Sequence, residues 1–136
     1  MNPDRSVSPG RTVRVLVVDD DPRVRAGLAG LLTATPGLAV PVSTGSATRA
    51  LAVASRGRAD VGLVDVLLPT PADGLRLVRD LSAYVPVVAM SLDGVSRDSA
   101  LRAGALAFVE KDGAIDELVA AVLAVAGSSR RQGRGP

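Results

Sequence analysis

The chain has 136 residues, a length suited to one domain with its own hydrophobic core and too short for two. It contains no cysteine and no histidine, which excludes a disulfide framework, thiolate or imidazole metal sites and a histidine general base. The pI of about 9.9 belongs to the ends, where Arg5, Arg11, Arg130, Arg131 and Arg134 lie, while the body between 12 and 126 is mildly acidic.

Residues 1–11 hold Pro, Gly and mixed charge without an apolar signal region, and read as a flexible N-terminal segment. Nowhere does an apolar run approach the roughly 18 residues of a membrane span, so a cytoplasmic protein without a membrane partner is expected. The first strand is "VRVLVV" (13–18), followed by the helical pattern "PRVRAGLAGLLTAT", with Val24, Leu28, Leu31 and Leu32 on one face. Pro22 suits a first helical position and Asp21 is placed to cap it. "LAVPVS" (38–43) is the second strand, and "SATRALAVAS" the second helix with Ser46 as cap. "DVGLVD" (60–65), "VPVVAMS" (85–91) and "ALAFVE" (105–110) are the remaining strands. They alternate with helical patterns "GLRLVRDLSAY", "SRDSALRAG" and "AIDELVAAVLAVAG", the last two stopping at Gly104 and Gly127.

The order βαβαβαβαβα, with nearly continuous apolar runs in the first, third and fourth strands, predicts an α/β domain over 12–126. Its centre is a five-stranded parallel sheet, doubly wound, with helices on both faces. Residues 127–136 are expected to form a basic, disordered tail, for which direct nucleic-acid binding is not the leading reading.

In such sheets chemistry collects beyond the carboxyl ends of the strands. There the chain places Asp19, Asp20 and Asp21, then Asp65, Ser91 and Lys111. Three neighbouring acids repel, and a divalent cation would hold them ionised. A phosphoryl-transfer site needs an oxygen nucleophile, carboxylates for Mg²⁺ and donors for the phosphoryl oxygens. Asp21 also reads as a plain helix cap, and Ser91 alone as a strand-end hydroxyl. Lys111 is the one lysine among 16 basic residues, a compact charge on a flexible stem where all others are Arg.

The segments "VLVVDDDP", "DVGLVDVLLP", "DGLRL", "PVVAMS" and "AGALAFVEKD" resemble, in order, the motifs of the two-component response-regulator receiver domain over about residues 13–126. The ending "AGALAFVEKDGAIDELVAAVLAV" is most similar to receivers of LuxR-type regulators. The resemblance implies the flavodoxin-like (βα)5 receiver fold and Mg²⁺ as cofactor. It makes Asp65 the phosphoacceptor, and gives the metal to Asp19, Asp20, Asp65 and the backbone carbonyl of Leu67. Lys111 is then the phosphate contact, and Ser91 and Phe108 the switch pair. It implies a sensor histidine kinase or phosphotransfer protein as donor, a downstream protein target and a phosphorylation-linked homodimer. Phe108, the only phenylalanine, is otherwise a buried core residue.

Three departures accompany the likeness. Asp65 to Gly74 spans nine residues, one more than is usual in the family, so the loop after the third strand is expected to sit differently. Leu92 stands where a small residue commonly follows the switch hydroxyl. Phe108 has no phenolic hydroxyl, so a switch there works by packing.

The expected function is that of a phosphoryl acceptor in a signalling relay rather than a turnover enzyme. The changed surface would be that of the fourth helix, fifth strand and fifth helix. One alternative is a phosphorylation-independent receiver acting as an interaction module. Another is an Asp-nucleophile phosphatase of the haloacid dehalogenase type using Asp19 and Asp21, with no task for Asp65. The ten residues after 126 are too few for an output domain, so the expectation is a stand-alone receiver, the leading reading, or else a fragment of a longer DNA-binding regulator.

Overall fold

The computed structural model describes residues 12–92 and 94–133. The expected segment 1–11 and the final three residues of the expected tail lie outside these. In chain order the elements are β1 (Val13–Val18), α1 (Pro22–Thr33), β2 (Leu38–Thr44), α2 (Ala47–Ser55), β3 (Val61–Asp65) and α3 (Pro71–Ser82). They continue with β4 (Val87–Ser91), a 3-10 turn (Gly94–Ser96), α4 (Arg97–Ala103), β5 (Ala107–Glu110) and α5 (Ile115–Gly133). Every pairing is parallel and the strand order is β2-β1-β3-β4-β5. The chain therefore winds first to one side of β1 and then to the other, and the reversal lies between β1 and β3.

The alternation of side chains along β1 explains why it reads as a nearly continuous apolar run. Val15 and Val17 join the core beneath α1 and α5, with Leu32, Leu118 and Val122. Leu16 and Val18 join the opposite core beneath α2, α3 and α4, with Val53, Leu77, Leu81 and Ala100. From Val15 on both faces are covered, so no position can be polar until the strand leaves the sheet at Asp19; Arg14, near the strand's start, is only half-buried and pairs with Asp60 at 3.1 Å. Each fully buried Val or Leu contributes about 1.5–3 kcal/mol, and this pins the register that delivers the aspartates to the sheet end.

Helix starts follow capping chemistry. Asp21 accepts from the Arg23 and Val24 N–H groups, and Ser46 from Arg49 N–H. α3 begins at Pro71, three residues ahead of the expected Gly74, because the Thr70 hydroxyl accepts from Asp73 N–H and donates to the Asp73 carboxylate at 2.8 Å. Gly104 ends α4 with φ +124°, a conformation only glycine adopts without strain. Gly127 does not end α5, which runs on to Gly133 where a disordered tail was expected. Val125 and Ala126 are buried on the helix's inner face just before it, and a glycine there only weakens the helix without terminating it.

β2 is an edge strand, bonded to β1 alone, and its pairing register shifts between Arg14 and Leu16, opposite Val40 and Pro41. Pro41 is exposed. Among the described residues no helix is long and apolar enough to cross a membrane.

Candidate functional site

Four polar side chains are buried among the described residues: Asp19, Thr44, Asp65 and Ser91. All four stand at the carboxyl ends of β1, β2, β3 and β4. Burying such groups costs free energy unless each is satisfied, so their collection on one edge marks the place where function outweighs packing. Thr44 has a local task. Its hydroxyl accepts from Ser46 N–H at 3.0 Å, turning the chain into α2, and its carbonyl accepts from Asp19 N–H at 3.1 Å.

The Asp19 and Asp65 side chains meet Lys111. Its ammonium lies 3.0 Å from Asp19 Oδ2 and 3.1 Å from Asp65 Oδ2, and donates a hydrogen bond to the latter. Lys111 N–H bonds to the Ser91 carbonyl at 2.9 Å, which extends the β4–β5 ladder and fixes where the side chain starts. The remaining carboxylate oxygens are held by turns: Asp19 Oδ1 accepts from Asp21 N–H at 2.9 Å and Asp65 Oδ1 from Leu67 N–H at 3.0 Å. Leu67 is thereby folded back over Asp65, at the start of the expected long loop.

The charges are not balanced. Burial pushes the Asp19 carboxyl above its ordinary range; the Asp21 N–H and Lys111 oppose this without cancelling it, and Asp65 adds to it. For Lys111 burial acts downward, but the partners Asp19 and Asp65 together outweigh it and hold the ammonium above its ordinary value. Lys111 is thus a firm cation facing more negative charge than it can neutralise.

One oxygen each of Asp19, Asp20 and Asp65 lies within 4.8 Å of the others. Asp19 Oδ2 is buried, and the Lys111 ammonium 3.0 Å away, which is shared with Asp65, reaches it without a well-directed hydrogen bond. A buried anionic oxygen so weakly served, beside two further carboxylates, fits a hard cation that takes oxygen ligands, as Mg²⁺ does.

The sequence-predicted residues therefore assemble. Asp19, Asp20, Asp65 and Lys111 form one cluster with Leu67 beside it. Ser91 continues the side of β4 that carries Ala89, and Ala89 pairs with Phe108 on β5. Phe108 is 9% exposed within the core beneath α2, α3 and α4. Asp21 stands apart, exposed, capping α1. Leu92 lies at the rim, 63% exposed.

Further residues have tasks that the sequence did not show. Gly74 rests on the backbone of Val66, and a Cβ there would overlap the Val66 carbonyl. The extra residue in the loop is thus taken up between Leu67 and Asp73, while α3 still starts against the residue that follows Asp65. Arg25 donates from Nη1 to the Asp19 carbonyl at 2.8 Å. Gly45 leaves room for that guanidinium. Only through-space contacts reveal them.

The family described as "Response regulator receiver domain" matches residues 15–123. The chain is 39% identical over 105 residues to the DNA-binding transcriptional activator DevR/DosR of Mycobacterium tuberculosis, a match covering 74% of this chain and 48% of that protein. It is 34% identical over 116 residues to the transcriptional regulatory protein UhpA of Salmonella typhimurium, covering 84% and 59%. The chain thus spans about half the length of these relatives. The crystal structure of a LuxR-family two-component response regulator from Aurantimonas sp. SI85-9A1 superposes with a TM-score of 0.75 at 27% identity, covering 86% of each chain.

Proposed function

The chain belongs to the response-regulator receiver domain family, and from that premise we propose that it accepts a phosphoryl group on Asp65 within a two-component relay. The donor is a phosphohistidine on a sensor histidine kinase or phosphotransfer protein, since these 136 residues hold no histidine of their own. The observation that carries the reading is Lys111, whose ammonium stands within 3.1 Å of both Asp19 and Asp65 at the one edge where buried polar groups collect.

The work of each residue follows from its environment. Asp65 is nearly buried at the end of β3, with one oxygen held by Leu67 N–H, so its carboxylate is presented in a fixed orientation. Attack by Asp65 on phosphorus forms an O–P bond as the N–P bond of the donor breaks, and the electron pair leaves with the imidazole nitrogen. Asp19, Asp20, Asp65 and the Leu67 carbonyl would hold Mg²⁺. When bound, the cation neutralises charge developing on the phosphoryl oxygens. Lys111, freed from one carboxylate, binds the phosphoryl group as a point charge, and Ser91 offers its hydroxyl.

The product carries up to about two new negative charges and additional acceptor oxygens. Movement of Ser91 toward them alters the space beside Phe108 on the same sheet face. The surface of α4, β5 and α5 then presents a second shape to a downstream target or a second copy of the chain. This is a one-site acceptor in the cytoplasm, not a turnover enzyme. The phosphatase alternative loses its second acid, since the exposed Asp21 carboxylate caps α1.

The test is phosphate incorporation from a small acyl phosphate with Mg²⁺. Wild-type protein should label at a single site, and Asp65→Asn should not label. Undiminished labelling of Asp65→Asn would end this reading.

A further inference from the structure

We propose that Arg25 is a positioning residue of the acid cluster: by holding the Asp19 carbonyl it orients Asp20 and sets divalent-cation affinity, without touching cation or phosphoryl group. The inference rests on the reading of Asp19, Asp20 and Asp65 as a cation site.

Arg25 lies one turn into α1, the end of a helix where a positive side chain is disfavoured by the macrodipole. Its guanidinium forms no ion pair among the described residues and instead donates to a neutral carbonyl at 2.8 Å. That carbonyl belongs to the peptide joining Asp19 to Asp20. The N–H on the other side of Asp19 is held by Thr44 at 3.1 Å. Both peptide planes flanking Asp19 are therefore fixed, one by β2 and one by Arg25. The next peptide plane is held as well, since Asp21 N–H donates to Asp19 Oδ1 at 2.9 Å, and with both rigid planes flanking Asp20 held its φ and ψ, and so the direction in which its side chain leaves the backbone, are set. Asp19 and Asp65 are buried and need no such help, whereas Asp20 is exposed.

Gly45 makes the clamp sterically available. A Cβ at this position would lie 3.0 Å from Arg25 Nη1, 3.3 Å from Asp20 Cα and 3.4 Å from the Asp19 carbonyl oxygen. The empty space beside Gly45 is filled by the guanidinium and the backbone it holds.

The two ways Arg25 could matter have opposite signs. As a mere nearby cation it repels a divalent ion, and its removal tightens binding. As a positioning group its removal loosens binding, by about tenfold or more for a residue acting through a ligand.

The experiment is a Mg²⁺ titration by calorimetry on the full chain, alongside melting in EDTA, for wild type, Arg25→Ala, Arg25→Lys, Gly45→Ala and Asp20→Asn. The expected result is a roughly tenfold weaker Kd for Arg25→Ala and weakening in Gly45→Ala. Arg25→Lys should restore affinity to within about threefold, since its ammonium can also donate to a carbonyl. Weakened binding in Asp20→Asn with unchanged or tighter binding in Arg25→Ala overturns the role of Arg25 alone. Wild-type affinity in Asp20→Asn overturns both the cation site and this inference. A lower melting temperature in Arg25→Ala with unmoved affinity shows a merely structural residue and also overturns it. Should Arg25→Ala fail to fold, Gly45→Ala decides: weaker binding supports the clamp and wild-type affinity overturns it.

Discussion

Replacing Lys111 by Met removes one charge from the centre of the site and keeps most of the apolar stem. The Asp19 and Asp65 side chains are 0% and 5% exposed and that of Lys111 13%, so water can do little to compensate. Removing one partner of a buried ion pair costs about 3–5 kcal/mol, and the lower end applies here because the Asp20 side of the cluster opens to solvent. For roughly 120 ordered residues the unfolding entropy is about 0.25 kcal/mol per degree, so 3 kcal/mol corresponds to a fall of about 12 °C in melting temperature. Thermal melts followed by circular dichroism at neutral pH in EDTA read this directly. Adding Mg²⁺ should then stabilise Lys111→Met more than wild type, because the ion replaces the missing charge. At about 100 times its own Kd the ion contributes about 2.7 kcal/mol, which returns the variant close to the melting temperature of wild type in EDTA. A variant melting within about 2 °C of wild type in EDTA would refute the reasoning, since it would mean that Asp19 and Asp65 do not face Lys111 as two ionised groups.

Gly74→Ala forces a Cβ onto the Val66 carbonyl, and either α3 or the residue after Asp65 must move. The expected cost is about 2–3 kcal/mol, read as a lower melting temperature, with slower phosphate incorporation at temperatures where the variant stays folded. Asp21→Ala removes the α1 cap and should cost about 1 kcal/mol while leaving Mg²⁺ affinity unchanged, which separates the third aspartate from the two before it. A loss of Mg²⁺ binding in Asp21→Ala would place that carboxylate in the site instead of at the helix end.

The inner strands β1, β3 and β4 were the most legible, because they are buried on both faces and so are apolar almost throughout, whereas β2 and β5 at the sheet edges are half-buried. β1 and the end of β4 fall where the residues predict. Starts were less legible: β4 begins at Val87, because Pro86 cannot donate to the ladder, and α3 begins at Pro71 because Thr70 caps it. The first was missed because an apolar run hides its own boundary, and the second because Pro69 and Pro71 look like loop punctuation. Gly127 misled for a related reason. Glycine ends a helix when the backbone turns left-handed, as at Gly104, and nothing in the letter alone says whether it will.

In the site, the aspartates, Ser91 and Lys111 were readable, since an acid or a lone lysine after an apolar strand has few structural excuses. The tasks of Arg25, Gly45, Gly74 and Thr44 were not, because they depend on which loop faces which across the sheet end. Thr44 in particular is indistinguishable in sequence from any polar strand terminus. Only the bond from Asp19 N–H to its carbonyl shows it as part of the scaffold holding the acids.

The outer edge of β2 has a consequence for assembly. A strand from another molecule approaching that edge would find no donor at Pro41 and a ladder already out of step with β1 between Arg14 and Leu16. Sheet extension is disfavoured on this side by covalent structure. When copies of this chain meet, that edge favours contact through helices over growth of the sheet into a shared one.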